Sequence, residues 1–131
     1  MYCLKCGSLT EKRSIENRPR SVCPQCGNIF YENLKVGVAA IIEKKASIWL
    51  LQRAHEPFRL KWNLPAGYVE IDEHPSQAVV REVKEETGLD VTMESLINIY
   101  FFDDDPRGNG ILIVYVSVNH IVELLEKLVK L

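Results

Sequence analysis

Residues 77–87 contain neither glycine nor proline, and three glutamates, Glu82, Glu85 and Glu86, fall close together inside that run. The segment reads as a helix, with Ser76 as its N-cap. At about 100° per residue the three glutamates occupy a sector only about 100° wide. Val79, Val80, Val83 and Thr87 lie together on another side, which suits a core. A glutamate-rich helix face is ordinarily just solvated. Here, however, the helix follows a turn carrying Pro65, Gly67, Glu70, Asp72 and Glu73. Arg81 stands four residues before Glu85, at the spacing that lets it pair with and orient that carboxylate. Three carboxylates on one face repel one another unless a cation sits among them. Oxygen ligands of this hardness suit Mg²⁺ or Mn²⁺, which in turn grip phosphate oxygens.

A second metal pattern opens the chain. All four cysteines fall in the first 26 residues, as Cys3-x2-Cys6 and Cys23-x2-Cys26 separated by sixteen residues. This is the spacing of a four-cysteine zinc site. Gly7 and Gly27 each follow the second cysteine of a pair, where a tight turn lets backbone amides point at sulfur. Two disulfides are the competing reading, which a cytosolic chain disfavours. A redox Cys-x2-Cys would occur once, near a βαβ unit. Four thiolates close the coordination sphere, so such a zinc is structural rather than catalytic.

Gly67, five residues, Glu73, seven residues, then Arg81-Glu82-Val83-Lys84-Glu85-Glu86-Thr87-Gly88-Leu89 resembles the signature of the Nudix hydrolases at every fixed position. The resemblance implies metal-dependent cleavage of a nucleoside diphosphate linked to another group X. It also implies roles. Glu82, Glu85 and Glu86 would be ligands of catalytic Mg²⁺ or Mn²⁺, and the Gly67 carbonyl a further ligand. Glu73 and Arg81 would position the others, and Glu82 is the first choice of general base. The implied fold is the Nudix α/β/α sandwich, an α/β architecture with a mixed sheet, here preceded by a small zinc ribbon.

The chain therefore divides near residue 32. Residues 1–32 form a ribbon too small to bury a core without its metal, and residues 33–131 form the hydrolase domain. Val36–Ile42 and Ile48–Gln52 are apolar runs separated by charges and read as a hairpin. Leu96–Phe102 and Ile111–Val118 read as strands joined by the loop Asp103 to Gly110. Ile121, Leu124, Leu125, Leu128 and Leu131 recur at helical spacing and predict a terminal amphipathic helix. Only Asn119 and His120 separate it from the last strand, so the chain is short where many Nudix proteins carry a further acidic ligand.

A zinc ribbon before a Nudix domain resembles the NADH pyrophosphatase and ADP-ribose pyrophosphatase-like branch. The Ser-Gln-Pro-Trp-like motif usual in the NADH enzymes is absent from Leu96 to Gly110. That absence favours ADP-ribose or a similar nucleotide sugar over NADH or NAD-capped RNA; an RNA-decapping hydrolase, which would unite the ribbon with the catalytic site, is a further alternative. Arg53, Phe58, Trp62 and Tyr68 are candidate substrate contacts: an aromatic ring can stack on a base and a cation can hold phosphate. Packing in the core or a dimer interface explains Phe58 and Trp62 equally well, which leaves a homodimer open. His55 and His74 lack a metal-ligand partner and read as surface residues. Asp103, Asp104 and Asp105 read as a solvated loop able to offer an extra ligand.

Charge weighs the rival reading, a nucleic-acid or protein-binding module on a Nudix scaffold. Residues 1–31 carry five basic and two acidic side chains, and zinc with four thiolates reduces their +3 to +1. The remaining residues carry 11 basic and 16 acidic side chains, a net −5. Strong non-specific nucleic-acid binding needs clustered cations, so the balance favours a small-molecule nucleotide substrate. No apolar run reaches the roughly 20 residues that span a bilayer, and no signal peptide is evident. The expected location is the cytoplasm.

Overall fold

The computed structural model describes residues 1–44 and 46–118. Two compact units emerge, Met1–Asn33 and Leu34–Leu131. In the first, β1 (Glu11–Ile15) and β2 (Arg18–Val22) form an antiparallel hairpin, and β3 (Ile29–Phe30) pairs with β2. Its two-residue turn, Glu16-Asn17, has both φ angles positive, at 52° and 61°, the twist that suits a tight hairpin. Two matching knuckles flank it. The Cys3 amide donates to Ser8 O and the Gly7 amide to Cys3 O; the Cys23 amide donates to Asn28 O and the Gly27 amide to Cys23 O.

The second unit is built on a mixed sheet of β4 (Lys35–Lys44), β5 (Ser47–Ile48), β8 (Ala66–Tyr68), β9 (Ser95–Phe102) and β10 (Gly110–Val118). Its order is β5–β4–β10–β9, with β8 also paired to β4. β4 and β10 run parallel; every other pairing is antiparallel. Two short strands, β6 (Leu51–Gln52) and β7 (Trp62–Asn63), form a separate pair. The apolar run Ile48–Gln52 is thus not one strand. It splits, because its first part closes the hairpin with β4 while its second part pairs with β7.

The helix is α1, Pro75–Thr87, starting two residues earlier than its composition suggests. Its N-cap is His74, not Ser76: the His74 ring accepts from the Ser76 amide, and Gln77 accepts from the His74 amide. Proline at the first helical position loses no hydrogen bond, so Pro75 starts the helix rather than excluding it. Gly88, at φ 76°, ends it by donating to Lys84 O.

Strand alternation and helical spacing meet in one core. Val38, Ala40 and Ile42 of β4 and Ile113 and Tyr115 of β10 pack with Ala78, Val79 and Val83 of α1. Each fully buried valine contributes about 1.5–3 kcal/mol. This packing turns the opposite side of α1, with its glutamates, toward the β8 loop. The expected terminal helix over Ile121, Leu124, Leu125, Leu128 and Leu131 lies outside the described residues. Among those described, no helix is long and apolar enough to cross a membrane.

Candidate metal and substrate site

The register of β8 on β4, with Gly37 opposite Tyr68 and Val38 opposite Gly67, delivers the Ala66–Tyr68 backbone to the glutamate side of α1. There the Arg81 guanidinium is a hub. It donates to Glu73 Oε2 at 3.0 Å and Oε1 at 2.6 Å, to Glu82 Oε1 at 2.8 Å, to Glu85 Oε2 at 3.2 Å and to the Tyr68 carbonyl at 3.1 Å. Glu73 also accepts from the Glu70 amide at 2.9 Å, which ties the loop before the helix into the same network. Arg81, helped by that amide, holds the Glu73 carboxyl down at about 2. The same carboxylates, Glu73 foremost, push the Arg81 pKa up.

Glu86 stands apart from the hub and accepts from the Ala66 amide at 3.1 Å. Its carboxyl is pushed up, chiefly by burial of the group itself; the Ala66 amide and Arg53 oppose the rise and the charges of Glu82 and Glu85 add to it. Any side chain at position 67 would force the Glu82 carboxylate to move. A Cβ at that position would fall 2.0 Å from Glu82 Cδ and 2.3 Å from both carboxylate oxygens. The backbone has been brought directly against the carboxylate that an ion would bind. Hard oxygen donors, mutual repulsion at Glu86 and this backbone approach all fit a divalent cation. Without one, Arg81 carries the neutralising charge.

Two cavities flank the loop. One of about 390 Å³ has Gly37, Ala66 and Gly67 against the aromatic rings of Phe58, Tyr68 and Phe102. Its charged residues are Arg53, Asp104, Asp105 and Arg107. The other, of about 340 Å³, includes Arg53, His55, Asn63 and Glu86. Arg53 and Asn63 line both, so the two cavities meet near Glu86. Of the four substrate contacts expected from sequence, Arg53, Phe58 and Tyr68 line the larger cavity. Trp62 is 63% exposed and neither cavity includes it.

Sequence reasoning missed Asn63, Phe102 and Arg107. Phe102 ends a strand 35 residues after Gly67, and nothing local marks it. Asp105 and Arg107 carried a local signal: two residues apart around Pro106, they form a clamp. Asp105 Oδ1 accepts from the Arg107 amide and Nε at 2.8 and 2.9 Å, and Oδ2 accepts from Nη2 at 2.7 Å. The Arg107 guanidinium holds the Asp105 carboxyl down at about 2.

In the first unit the four cysteines are free, and their sulfurs all lie within 4.8 Å of one another. Cys3 Sγ is 3.7 Å from Cys26 Sγ, and Cys6 Sγ is 3.4 Å from Cys23 Sγ. Tetrahedral zinc with Zn–S of about 2.3 Å separates sulfurs by roughly 3.8 Å, whereas a disulfide needs about 2.05 Å. The set fits zinc and not two disulfides. Ser8, through its side chain and amide, pulls Cys6 down to about 6. At Cys26 the Asn28 amide pulls down, but burial and the sulfurs of Cys23, Cys3 and Cys6 outweigh it and push the thiol up to about 11. Four sulfurs this close cannot all ionise without a cation between them.

Residues 33–127 match the NUDIX domain family, and residues 1–32 match the zinc-ribbon family described as Nudix N-terminal. An ADP-ribose pyrophosphatase of Methanocaldococcus jannaschii is 46% identical over 66% of this chain and 52% of its own length. An NAD-capped RNA hydrolase NudC of Vibrio vulnificus is 28% identical over 94% of this chain and 45% of its own. The chain thus spans about half the length of these curated relatives. A crystal structure of a NUDIX hydrolase from Nitrosomonas europaea superposes with a TM-score of 0.80 at 32% identity, over 93% of this chain and 69% of that one.

Proposed function

The chain belongs to the Nudix family, and from that premise we propose that it is a divalent-metal-dependent pyrophosphohydrolase. Its substrate is a nucleoside diphosphate linked to a second group, with ADP-ribose favoured, and its products are a nucleoside monophosphate and a phosphorylated second group. The observation that carries this reading is the Arg81 hub, which holds Glu82 and Glu85 at the backbone of a glycine loop beside two cavities. The relative named ADP-ribose pyrophosphatase supports the substrate, and the residues present support the chemistry.

In this reading the Gly67 carbonyl, Glu82, Glu85 and Glu86 hold Mg²⁺ or Mn²⁺. When bound, the ion would lower the pKa of a water and neutralise charge on the departing phosphate. Everything else falls to the chain. Glu82 takes the proton as water oxygen bonds to phosphorus and the bridging P–O bond breaks, its electron pair leaving with the departing phosphate. Arg81 and Glu73 keep Glu82 and Glu85 turned toward Gly67. Arg53, at the junction of the cavities, meets the phosphates. The division at residue 32 belongs to the same reading: ribbon over 1–32, hydrolase over 33–131, with structural zinc on Cys3, Cys6, Cys23 and Cys26.

The test is a panel of ADP-ribose, NADH, NAD-capped RNA, dinucleoside polyphosphates and nucleoside triphosphates, each with Mg²⁺. ADP-ribose should release AMP fastest, and Glu85→Gln should abolish release. No product from any compound, or a Glu85→Gln variant as active as the wild type, rejects the reading; NAD-capped RNA as the best substrate moves it to the decapping alternative. Metal analysis should find about one zinc per chain, lost when Cys23 and Cys26 become serine.

A further inference from the structure

The larger cavity holds an unusual balance. Its charged lining is two cations, Arg53 and Arg107, and two carboxylates, Asp104 and Asp105, so it is formally neutral although the proposed substrate is an anion. Arg53 belongs to both cavities and faces the glutamate side, where a bridging diphosphate would lie. Arg107 is the other cation of this lining, and it is already engaged. Asp105 takes its Nε and Nη2 hydrogens. Its guanidinium carbon lies 5.6 Å from the centroid of the Tyr68 ring, within cation–π range. Lys35 fixes the loop from the same side by donating to the Arg107 carbonyl, with its ammonium 5.7 Å from that ring.

The cavity therefore offers the rings of Phe58, Tyr68 and Phe102, while Asp105 engages the Arg107 guanidinium and Lys35 donates to the Arg107 carbonyl. Asp104 adds a second carboxylate to the same lining. A ring-bearing neutral group can stack there. A further phosphate would have to be desolvated beside Asp104 and compete with Asp105 for Arg107, and discrimination often works through such a repulsive element.

Building on the diphosphate reading, we propose that the Asp105–Arg107 clamp, with Asp104, determines specificity. It admits a diphosphate joining a nucleoside to an uncharged group and turns away chains with a third phosphate.

The experiment compares binding of two non-cleavable probes with Mg²⁺, α,β-methylene ADP-ribose and α,β-methylene ATP, by titration calorimetry. Wild type should prefer the ADP-ribose probe by about tenfold or more, the scale of one unit charge at partly screened range. Asp105→Asn releases Arg107 and gives the cavity one net positive charge, so the preference should fall about tenfold, mainly through tighter binding of the triphosphate. Arg107→Gln leaves Asp105 uncompensated and should move the preference the opposite way. A clamp that merely held the loop in shape would weaken both probes together and leave the ratio unchanged. Equal affinity of wild type for both probes, binding of neither, or a ratio that stays within about twofold in both variants overturns the proposal. Selective binding without cleavage of ADP-ribose itself would instead defeat the hydrolase reading and leave this one standing.

Discussion

The glutamate helix and the cavity beside it are held in different ways. One guanidinium, Arg81, donates five hydrogen bonds that bind helix, preceding loop and β8 into a single network within 67–89. The cavity has no such hub. Gly37, Phe58, Phe102 and Arg107 reach it from four separate stretches of chain, joined by ring contacts and the Asp105–Arg107 clamp. The contrast separates two jobs. On the proposed function, chemistry belongs to a local segment whose parts fail together, and selectivity to walls that can change one at a time.

That division sets an order of effects. Gly67→Ala should be the most severe, because its Cβ would displace the Glu82 carboxylate. Misplacement of about 1 Å at a reacting group costs on the order of 100-fold, so kcat should fall that far for every substrate while circular dichroism stays native. Arg81→Lys keeps the charge but loses the fork that serves Glu73, Glu82 and Glu85 at once. Its expected loss is about 10–100-fold in kcat, again independent of substrate. Phe58→Ala belongs to the cavity and should behave otherwise: KM rises about 2–10-fold, by the value of one stacked ring, and kcat holds. If Phe58→Ala lowered kcat uniformly, or Arg81→Lys altered substrate preference, the separation drawn here would collapse.

The smallest effect is one of stability. Glu73 has its folded pKa lowered from 4.5 to about 2, so its link to Arg81 stabilises the fold above about pH 4.5 and is lost as pH falls toward 2. The same sign applies to Asp105, lowered from 3.8 to about 2. Urea unfolding followed across that window should show stability declining with acid, less steeply in Glu73→Gln. An unchanged slope in the variant would mean that the pair adds nothing to the fold.

The same difference explains what could be read from the sequence. The helix, its glutamates and Arg81 are neighbours in the chain, so helical periodicity alone brings them together. The strand runs Val36–Ile42, Leu96–Phe102 and Ile111–Val118 were visible for a related reason: pairing in the sheet extends them by only one or two residues. Two local errors have physical causes. His74 supplies a ring nitrogen where the Ser76 hydroxyl was expected, and the helix opens at Pro75, two residues before the expected run. The cavity was half legible, since Phe58 and Tyr68 lie near the signature, but Phe102 and Arg107 arrive through the β9–β10 pairing and its connecting loop. Trp62 shows the reverse. A large aromatic beside the signature invites a stacking role, yet its side chain is exposed away from both cavities.

The central claim is that a divalent cation binds between the glutamates of α1 and the Gly67 backbone. Adding Mn²⁺ to the isotopically labelled protein tests it directly, because the paramagnetic ion broadens the signals of nearby nuclei. Amides of Gly67, Tyr68, Glu82, Glu85 and Glu86 should broaden first, β9 should stay sharp, and Glu85→Gln should shift the effect to higher Mn²⁺. Broadening centred elsewhere, or none at these residues, would contradict it.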